Sequence, residues 1–430
     1  MPTRKKIAFH TLGCKLNFSE TATISRQFPG ETFTRVAFAE PADIYVINSC
    51  TVTKNAEKRC KALIRQALKT NPAAKVAVMG CYSQIKPSEL LAMPGVFLVL
   101  GNEEKYKLPD HLMDIDTLEK QGVSHDVSKE HLTGFVPAFS SGGRTRSFFK
   151  IQDGCDYRCA YCSIPQARGN SRSDTIARTL ETAKQISGSN IREMVLTGVN
   201  IGDFGKPHGE TFFELLTELV KLDRPERIRL SSIEPDLLHD DLIRLVADEP
   251  KLMPHFHLPL QSGSDSILKS MGRKYNTRLF AERIESIRKH IPHACIAADI
   301  IVGYPGETDA LFRESLAFIS AMDVSYIHVF TYSERENTRA LTKGPMVHPA
   351  ERKQRSRLMQ QCSSEKKQQF IRSNKGLTTK VLWENDEHNG FMFGFTENYL
   401  KAKTAWKEAL QNTIQEVSLN HTDKHGVYIL

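Results

Sequence analysis

The chain has 430 residues, 40% of them hydrophobic and 25% charged, with a formal net charge of +8, which describes a soluble globular protein of two to four domains. Its longest apolar runs, such as VFLVL at 96–100, are too short to span a bilayer, and MPTRKKIAFHTLGCKLN at the start has no sustained apolar stretch or cleavage site, so the chain reads as cytoplasmic with no membrane partner. Nine cysteines, odd in number and sparse, exclude a secreted disulfide framework and favour metal binding or thiol chemistry.

In chain order, apolar strands at 6–11, 43–48, 75–80 and 96–101 alternate with helical patterns at 17–28, 53–70 and 86–93, which predicts a parallel α/β sheet. A polar stretch at 114–146 reads as a linker. From Ser147 to about Tyr332 six strands (SFFKIQ, EMVLTG, RIRLSS, HFHLPL, IAADIIVG, YIHVFT) alternate with helices near 174–187, 210–222, 236–247, 264–271, 276–290 and 309–322. That is six β/α units of a partial barrel, a design whose active sites lie at the strand carboxyl ends. A helix at 349–373 follows. Between Pro349 and Lys380 nine Lys or Arg stand against two Glu, which fits a solvated helix face or a surface turned to phosphates. The tail, from about 374, reads as short antiparallel strands of a small β-barrel. The expected domains are 1–115, a linker at 116–140, 141–371 and 372–430.

Cys155, Cys159 and Cys162 fall within eight positions directly after the first barrel strand. Disulfides among them would be strained, and structural zinc or an electron-carrying 4Fe–4S cluster wants a fourth ligand that is not nearby. Three thiolates leave one iron open to a substrate. This spacing, placed after the first strand of a partial β/α barrel, resembles the radical S-adenosylmethionine superfamily. The resemblance implies a 4Fe–4S cluster on these cysteines whose open iron binds S-adenosylmethionine. It further implies Tyr161 near the adenine, Thr197 and Gly198 at the end of the second strand, and Ser232 and Glu234 at the third. Gln261 and Ser262 at the fourth and Val302 and Gly303 at the fifth complete the cofactor-binding set. Loop capping explains any one of these polar residues, but not their recurrence at successive strand ends.

A second, scattered set exists. Cys14, Cys50 and Cys81 each follow a different amino-terminal strand, and in an open parallel sheet those ends share one ligand-binding edge. Packing is the ordinary role of a buried cysteine, and Cys60, Cys295 and Cys362 are assigned to it. Glycines 13 and 80 are expected to let the backbone approach a bulky cofactor. TLGCKLN, INSCTVT and GCYSQ together with KIQDGCDYRCAYC resemble the methylthiotransferase family of radical S-adenosylmethionine enzymes over the whole chain. The family implies a second, auxiliary 4Fe–4S cluster on Cys14, Cys50 and Cys81 and a TRAM-like tail that binds RNA. It also implies two S-adenosylmethionine molecules per turnover, one methylating sulfur at the auxiliary cluster and one cleaved to a radical that attacks carbon 2 of an adenine.

The motifs are most similar to the branch acting on N6-threonylcarbamoyladenosine at tRNA position 37. The alternatives are N6-isopentenyladenosine at the same position and an aspartate of a ribosomal protein. The implied partners are a tRNA anticodon stem-loop and an electron donor such as flavodoxin or ferredoxin, acting on a monomer. Arg168, Arg172 and Arg335 are the candidates to pair with the substrate carboxylate, and each fits a salt bridge equally well. Trp383, Phe391, Phe393, Phe395 and Tyr399 offer stacking surfaces beside the basic helix, although the alternation at 391, 393 and 395 fits a strand face in the barrel core better.

Overall fold

A computed structural model describes residues 4–113, 123–124, 132, 134–141 and 145–430; most of the expected linker lies outside these. The chain forms two compact units, Met1–Ser140 with Phe148–Arg158 and Cys162–Asp174, and Ser141–Ser147 with Cys159–Tyr161 and Thr175–Leu430.

Unit one is built on β1 (Lys5–Thr11), α1 (Lys15–Arg26), β2 (Phe33–Val36), β3 (Ile44–Ser49), α2 (Lys54–Thr70), β4 (Lys75–Gly80), α3 (Cys81–Ile85), α4 (Pro87–Leu91), β5 (Val96–Leu100), α5 (Leu108–Met113) and β6 (Val123–Ser124). The six strands pair in parallel in the order β2-β1-β3-β4-β5-β6. The four expected strands are present; β2, too short and polar to show periodicity, is an addition. β3 is buried at every position, as a strand covered on both faces must be. α2 starts where Thr53 accepts from the Ala56 amide and buries Cys60, Ile64 and Ala67 along one stripe. Strand order reverses between β1 and β3, the switch point outside which open α/β sheets bind ligands. The unit is completed by β7 (Ala138–Phe139), β8 (Arg146–Lys150) from residue 148 on, β9 (Gln152–Asp153), α6 (Ile164–Arg168) and β10 (Arg172–Ser173).

Unit two contains α7 (Ile176–Ser187), β11 (Glu193–Thr197), α8 (Phe212–Leu219), β12 (Arg227–Leu230), α9 (Asp240–Asp248), β13 (His255–Gln261), α10 (Asp265–Met271), α11 (Thr277–His290), β14 (Cys295–Val302), α12 (Asp309–Ala321) and β15 (Tyr326–Thr331), matching the expected β/α alternation. β11 pairs with β12, and β13 with β14 and β14 with β15, all in parallel; the Ser232–His257 bridge continues the curve between β12 and β13. Thr175, Thr211, Asn276 and Thr308 cap the helices that return from the strands, each satisfying an otherwise orphaned amide.

The basic helix is α13 (Pro349–Ser373). Three of its cations are structural rather than phosphate-facing. Arg352 and Arg355 are buried against Glu334 and Glu307, and Lys366 donates to the carbonyls of Ser320 and Met322. Lys353, Arg357, Lys367, Arg372, Lys375 and Lys380 remain exposed.

The tail is a six-stranded sheet of β16 (Thr378–His388), β17 (Phe391–Thr396), β18 (Lys401–Ala405), β19 (Ile414–Ser418), β20 (His421–Thr422) and β21 (Tyr428–Ile429). Its order is β19-β16-β17-β18-β21-β20, antiparallel except for β18 with β21. Two aromatic expectations are corrected here. Trp383 is 1% exposed in the core with Met392, Leu400 and Phe370, its indole N–H held by Gln415, so it offers no stacking surface. Phe391, Phe393 and Phe395 lie on the outer face of β17 and not in the core, because Met392, Gly394 and Thr396 take the inner positions. A Cβ at Gly394 would stand 2.5 Å from Val381 Cγ1, so the strand crossing leaves no inner room for large side chains.

Candidate active site

In unit one the carboxyl ends of β1, β3 and β4 deliver Cys14, Cys50 and Cys81 to one edge, the first two flanking the switch point. The thiols are close enough to influence one another's ionisation. Burial pushes the Cys50 thiol up to about 12, so in the absence of metal it holds its proton; Cys14 is exposed at the edge. The role expected for Gly13 and Gly80 is corrected: their missing side chains make room for protein, not cofactor. A Cβ at Gly13 would lie 2.8 Å from Cys50 Cβ and 2.9 Å from its Sγ, and one at Gly80 would lie 2.3 Å from Asn48 Oδ1. Both residues have positive φ, +95° and +98°, which glycine alone adopts at little cost.

Polar groups surround the thiols. Asn17 Nδ2 donates to the carbonyls of Leu12 and Ser49, tying the two cysteine loops, and its Oδ1 is 3.9 Å from Cys14 Sγ. Asn102 Nδ2 lies 3.8 Å from Cys81 Sγ. Cys60, buried on α2, lies near enough to Cys50 to feel its charge. Three soft ligands delivered to one sheet edge suit an iron–sulfur cluster.

The other triad sits in the loop after β9. Cys155 and Cys162, in unit one, receive the backbone amides of Tyr157 and Ile164, each at 3.4 Å. Cys159, in unit two, receives Arg273 Nη1 at 3.1 Å. Burial raises the Cys159 thiol while Arg273 pulls it down. Donors onto sulfur favour the thiolate and the cluster it would bind.

Around Cys159, unit two brings together Arg273, Tyr161 and Glu234, and the other expected residues stand at the ends of their own strands. Tyr161 packs with Ala160, Ile267, Met271, Tyr304 and Tyr332, and its hydroxyl is 3.4 Å from Arg273 Nη1. Glu234 pairs with Arg273; burial pushes its carboxyl up to about 7 against that attraction. Thr197 is buried at the end of β11, followed by Gly198. Gln261 ends β13 with φ +69°, a strained conformation for a non-glycine residue. Ser262 accepts from the Ser264 amide at 3.2 Å. Val302 ends β14 and its carbonyl accepts from the Tyr332 amide at 2.9 Å, while Gly303 donates to Glu307 at 2.6 Å. A Cβ at Gly303 would strike Arg352 Cγ at 2.4 Å.

Arg273 is the residue sequence reasoning missed; in MGRKYN after α10 it carries no spacing signal. Also missed is a chain inside the strands: Ser232 Oγ, His257 Nδ1 and Nε2, and Asp299 Oδ1, with both contacts at 2.7 Å. His328 lies close by, and one ligand atom from each of His257, Asp299 and His328 falls within 4.8 Å of the others. Both imidazole nitrogens of His257 are engaged, which orients Ser232.

Of the arginines proposed to meet substrate, Arg168 is 1% exposed. It is held by Asn17, Glu20 and Asp153 through four hydrogen bonds of 2.6–3.1 Å. Pairing with a substrate carboxylate would break them, so its place is internal. Arg172 contacts Asp153 Oδ2 at 3.3 Å and the Gly134 carbonyl at 2.8 Å, and Arg335 is 7% exposed.

Residues 149–319 match the Radical SAM superfamily and residues 6–101 match the Uncharacterized protein family UPF0004. A protein of Bacillus subtilis (strain 168) named threonylcarbamoyladenosine tRNA methylthiotransferase MtaB is 36% identical, over 96% of this chain and 93% of its own. One of the same name from Aquifex aeolicus is also 36% identical, over 93% and 96%. A tRNA-2-methylthio-N(6)-dimethylallyladenosine synthase of Jannaschia sp. is 31% identical over 96% and 91%. The solved structure of TsrM from Kitasatospora setae, a radical S-adenosylmethionine methyltransferase, superposes with a TM-score of 0.54 at 14% identity, covering 76% of this chain and 75% of that one, a likeness of fold alone. No helix among the described residues is long and apolar enough to cross a membrane. With relatives alike over nearly their whole length and a matching barrel, the chain belongs to the methylthiotransferase family of radical S-adenosylmethionine enzymes.

Proposed function

We propose that the chain adds a methylthio group to carbon 2 of N6-threonylcarbamoyladenosine at position 37 of tRNA. The observation that carries this is the convergence of Cys14, Cys50 and Cys81 at the edge of one parallel sheet, in a chain that also holds the Cys155, Cys159 and Cys162 loop. One set of three thiols suits a radical enzyme; a second suits a sulfur donor. The threonylcarbamoyl substrate is supported by the names of the relatives at 34–36% identity, the dimethylallyl alternative by names at 31–34%.

In this reading Cys155, Cys159 and Cys162 hold the 4Fe–4S cluster that binds S-adenosylmethionine, and Cys14, Cys50 and Cys81 hold the auxiliary one. Bound there, the cofactors supply hydrogen-atom abstraction and a methylated sulfur, which no side chain offers. The protein positions them. Arg273 sets the charge beside Cys159 and Glu234. Tyr161, Thr197, Gly198, Gln261, Ser262, Val302 and Gly303 line the strand ends for S-adenosylmethionine, and the His257–Asp299 pair fixes the Ser232 hydroxyl. Two molecules of S-adenosylmethionine serve each turnover, with electrons from a donor such as flavodoxin or ferredoxin, on a cytoplasmic monomer.

RNA binding is supported by the tail. Lys401 Nζ stands 4.0 Å from the Phe393 ring, so a cation and an aromatic face sit side by side on the outward surface, whereas Lys403, 5.4 Å from the Phe391 ring, is paired with Asp423 at 2.5 Å. The Lys401–Phe393 pairing suits the bases and phosphates of a single-stranded loop. Nucleoside mass spectrometry of tRNA from cells lacking the protein tests the assignment. Loss of methylthio-threonylcarbamoyladenosine with the isopentenyl product intact is expected; the reverse pattern refutes the substrate. In the purified enzyme, Cys14→Ala should keep S-adenosylmethionine cleavage and lose methylthiolation, whereas cleavage retained in Cys155→Ala would refute the division of roles.

A further inference from the structure

Beneath the Cys14, Cys50 and Cys81 loops lies a group of charges that the reading above does not use. Arg168, Lys105 and Lys150 face Glu20 and Asp153, and none of the five is more than 2% exposed. Lys105 Nζ is 2.6 Å from Glu20 Oε2. Lys150 Nζ is 3.2 Å from Glu20 Oε1 and 2.9 Å from Asp153 Oδ2. Arg168 Nη1 is 3.1 Å from Glu20 Oε1 and 2.8 Å from Asp153 Oδ1. Three cations thus answer two anions, and Arg172 at the margin adds a fourth cation. A surplus of buried charge is costly unless an opposite charge lies in its field.

The surplus is aimed. Arg168 Nη2 donates to Asn17 Oδ1 at 2.6 Å, and Asn17 ties Leu12 to Ser49 beside Cys14 and Cys50. Lys105 donates to Asn102 Oδ1 at 2.8 Å, and Asn102 reaches Cys81 Sγ. Two cations therefore touch two asparagines: Asn102 donates towards Cys81 Sγ, whereas Asn17 Oδ1 accepts from both Arg168 and the Cys14 thiol. The net positive charge of the group therefore lies within reach of the three sulfurs and of whatever anionic cluster they hold.

We propose that this buried group is the electrostatic counterweight of the second thiol site: Arg168 by its charge, and Lys105 through Asn102, are positioning residues that hold up the reduction potential of what the three sulfurs bind. The inference rests on the reading that these cysteines hold an iron–sulfur cluster, whose potential rises with nearby positive charge and hydrogen bonds to sulfur.

The test uses the full chain with Cys155, Cys159 and Cys162 all changed to Ala, so that only this site binds iron. After anaerobic reconstitution, iron is counted and the potential is read from the electron paramagnetic resonance signal in a redox titration. Arg168→Gln and Lys105→Met should each move the midpoint to lower potential, and Glu20→Gln, which removes an anion from the same group, to higher potential. Arg168→Lys, which keeps the charge, should stay near the parent. Damage to packing alone has no reason to reverse sign between Lys105→Met and Glu20→Gln, so that pair decides the matter even if Arg168→Gln fails to fold. A parent with about four irons whose potential is unmoved, or moves the same way in both, overturns the inference alone. A parent that binds no iron overturns the reading of the site and the inference with it.

Discussion

Gly13→Ala is the sharpest probe of how the second thiol site is built. The residue has φ +95°, and an alanine Cβ would stand 2.8 Å from Cys50 Cβ, 2.9 Å from Cys50 Sγ and 3.3 Å from Asn17 Nδ2. A left-handed conformation costs an ordinary residue about 1–2 kcal/mol. Overpacking a filled interior adds about 1–3 kcal/mol, so the loss should total roughly 2–5 kcal/mol. For a unit of this size each kcal/mol lowers the melting temperature by roughly 2–4 °C. A drop of about 4–20 °C in one calorimetric transition of the iron-free chain is therefore expected. Relief by shifting Cys50 would misplace its sulfur, so reconstituted protein should hold about four irons rather than about eight. Gly30→Ala is the control, since nothing lies within 4 Å of a Cβ there. Wild-type melting and full iron in Gly13→Ala would refute the argument that this glycine exists to admit Cys50.

Phe391 is 42% exposed, so Phe391→Ala should leave melting unchanged while weakening tRNA binding by about 1 kcal/mol, near fivefold, in a fluorescence anisotropy titration; a core role would give the opposite pattern. Arg273→Met removes the donor to Glu234, which then takes up a proton, and should destabilise unit two by about 1–3 kcal/mol in denaturant melts and weaken S-adenosylmethionine retention in equilibrium dialysis, with Arg273→Lys partly restoring both. Because burial raises Glu234 to about 7, the folded state holds that proton more tightly than the unfolded one. Its contribution to stability is whole below the usual carboxylate range and is lost as pH rises through 7. Glu234→Gln should flatten that segment of a stability profile taken between pH 4 and 8.

The sequence alone determined the alternation of strands and helices, because period and length of apolar runs report burial directly. It also determined the six cluster cysteines as candidates, since strand-end position in a parallel sheet implies a shared edge whatever the intervening chain. Where contacts decide, it was silent or misleading. Arg168 and the basic count of α13 looked like surface charge, yet Arg168, Arg352, Arg355 and Lys366 are internal, because composition does not say which way a long side chain turns. Phe391, Phe393 and Phe395 show the period of a strand face, and periodicity cannot say which face. Only the tight β16–β17 crossing, filled by Trp383 and Met392, puts them outside. Arg273 beside Cys159, the Ser232–His257–Asp299 chain and the pairings made by Glu20 join residues up to 148 positions apart, and no local pattern marks partners at that range. They exist as sites only once the chain has folded and low-dielectric burial has made each pairing matter.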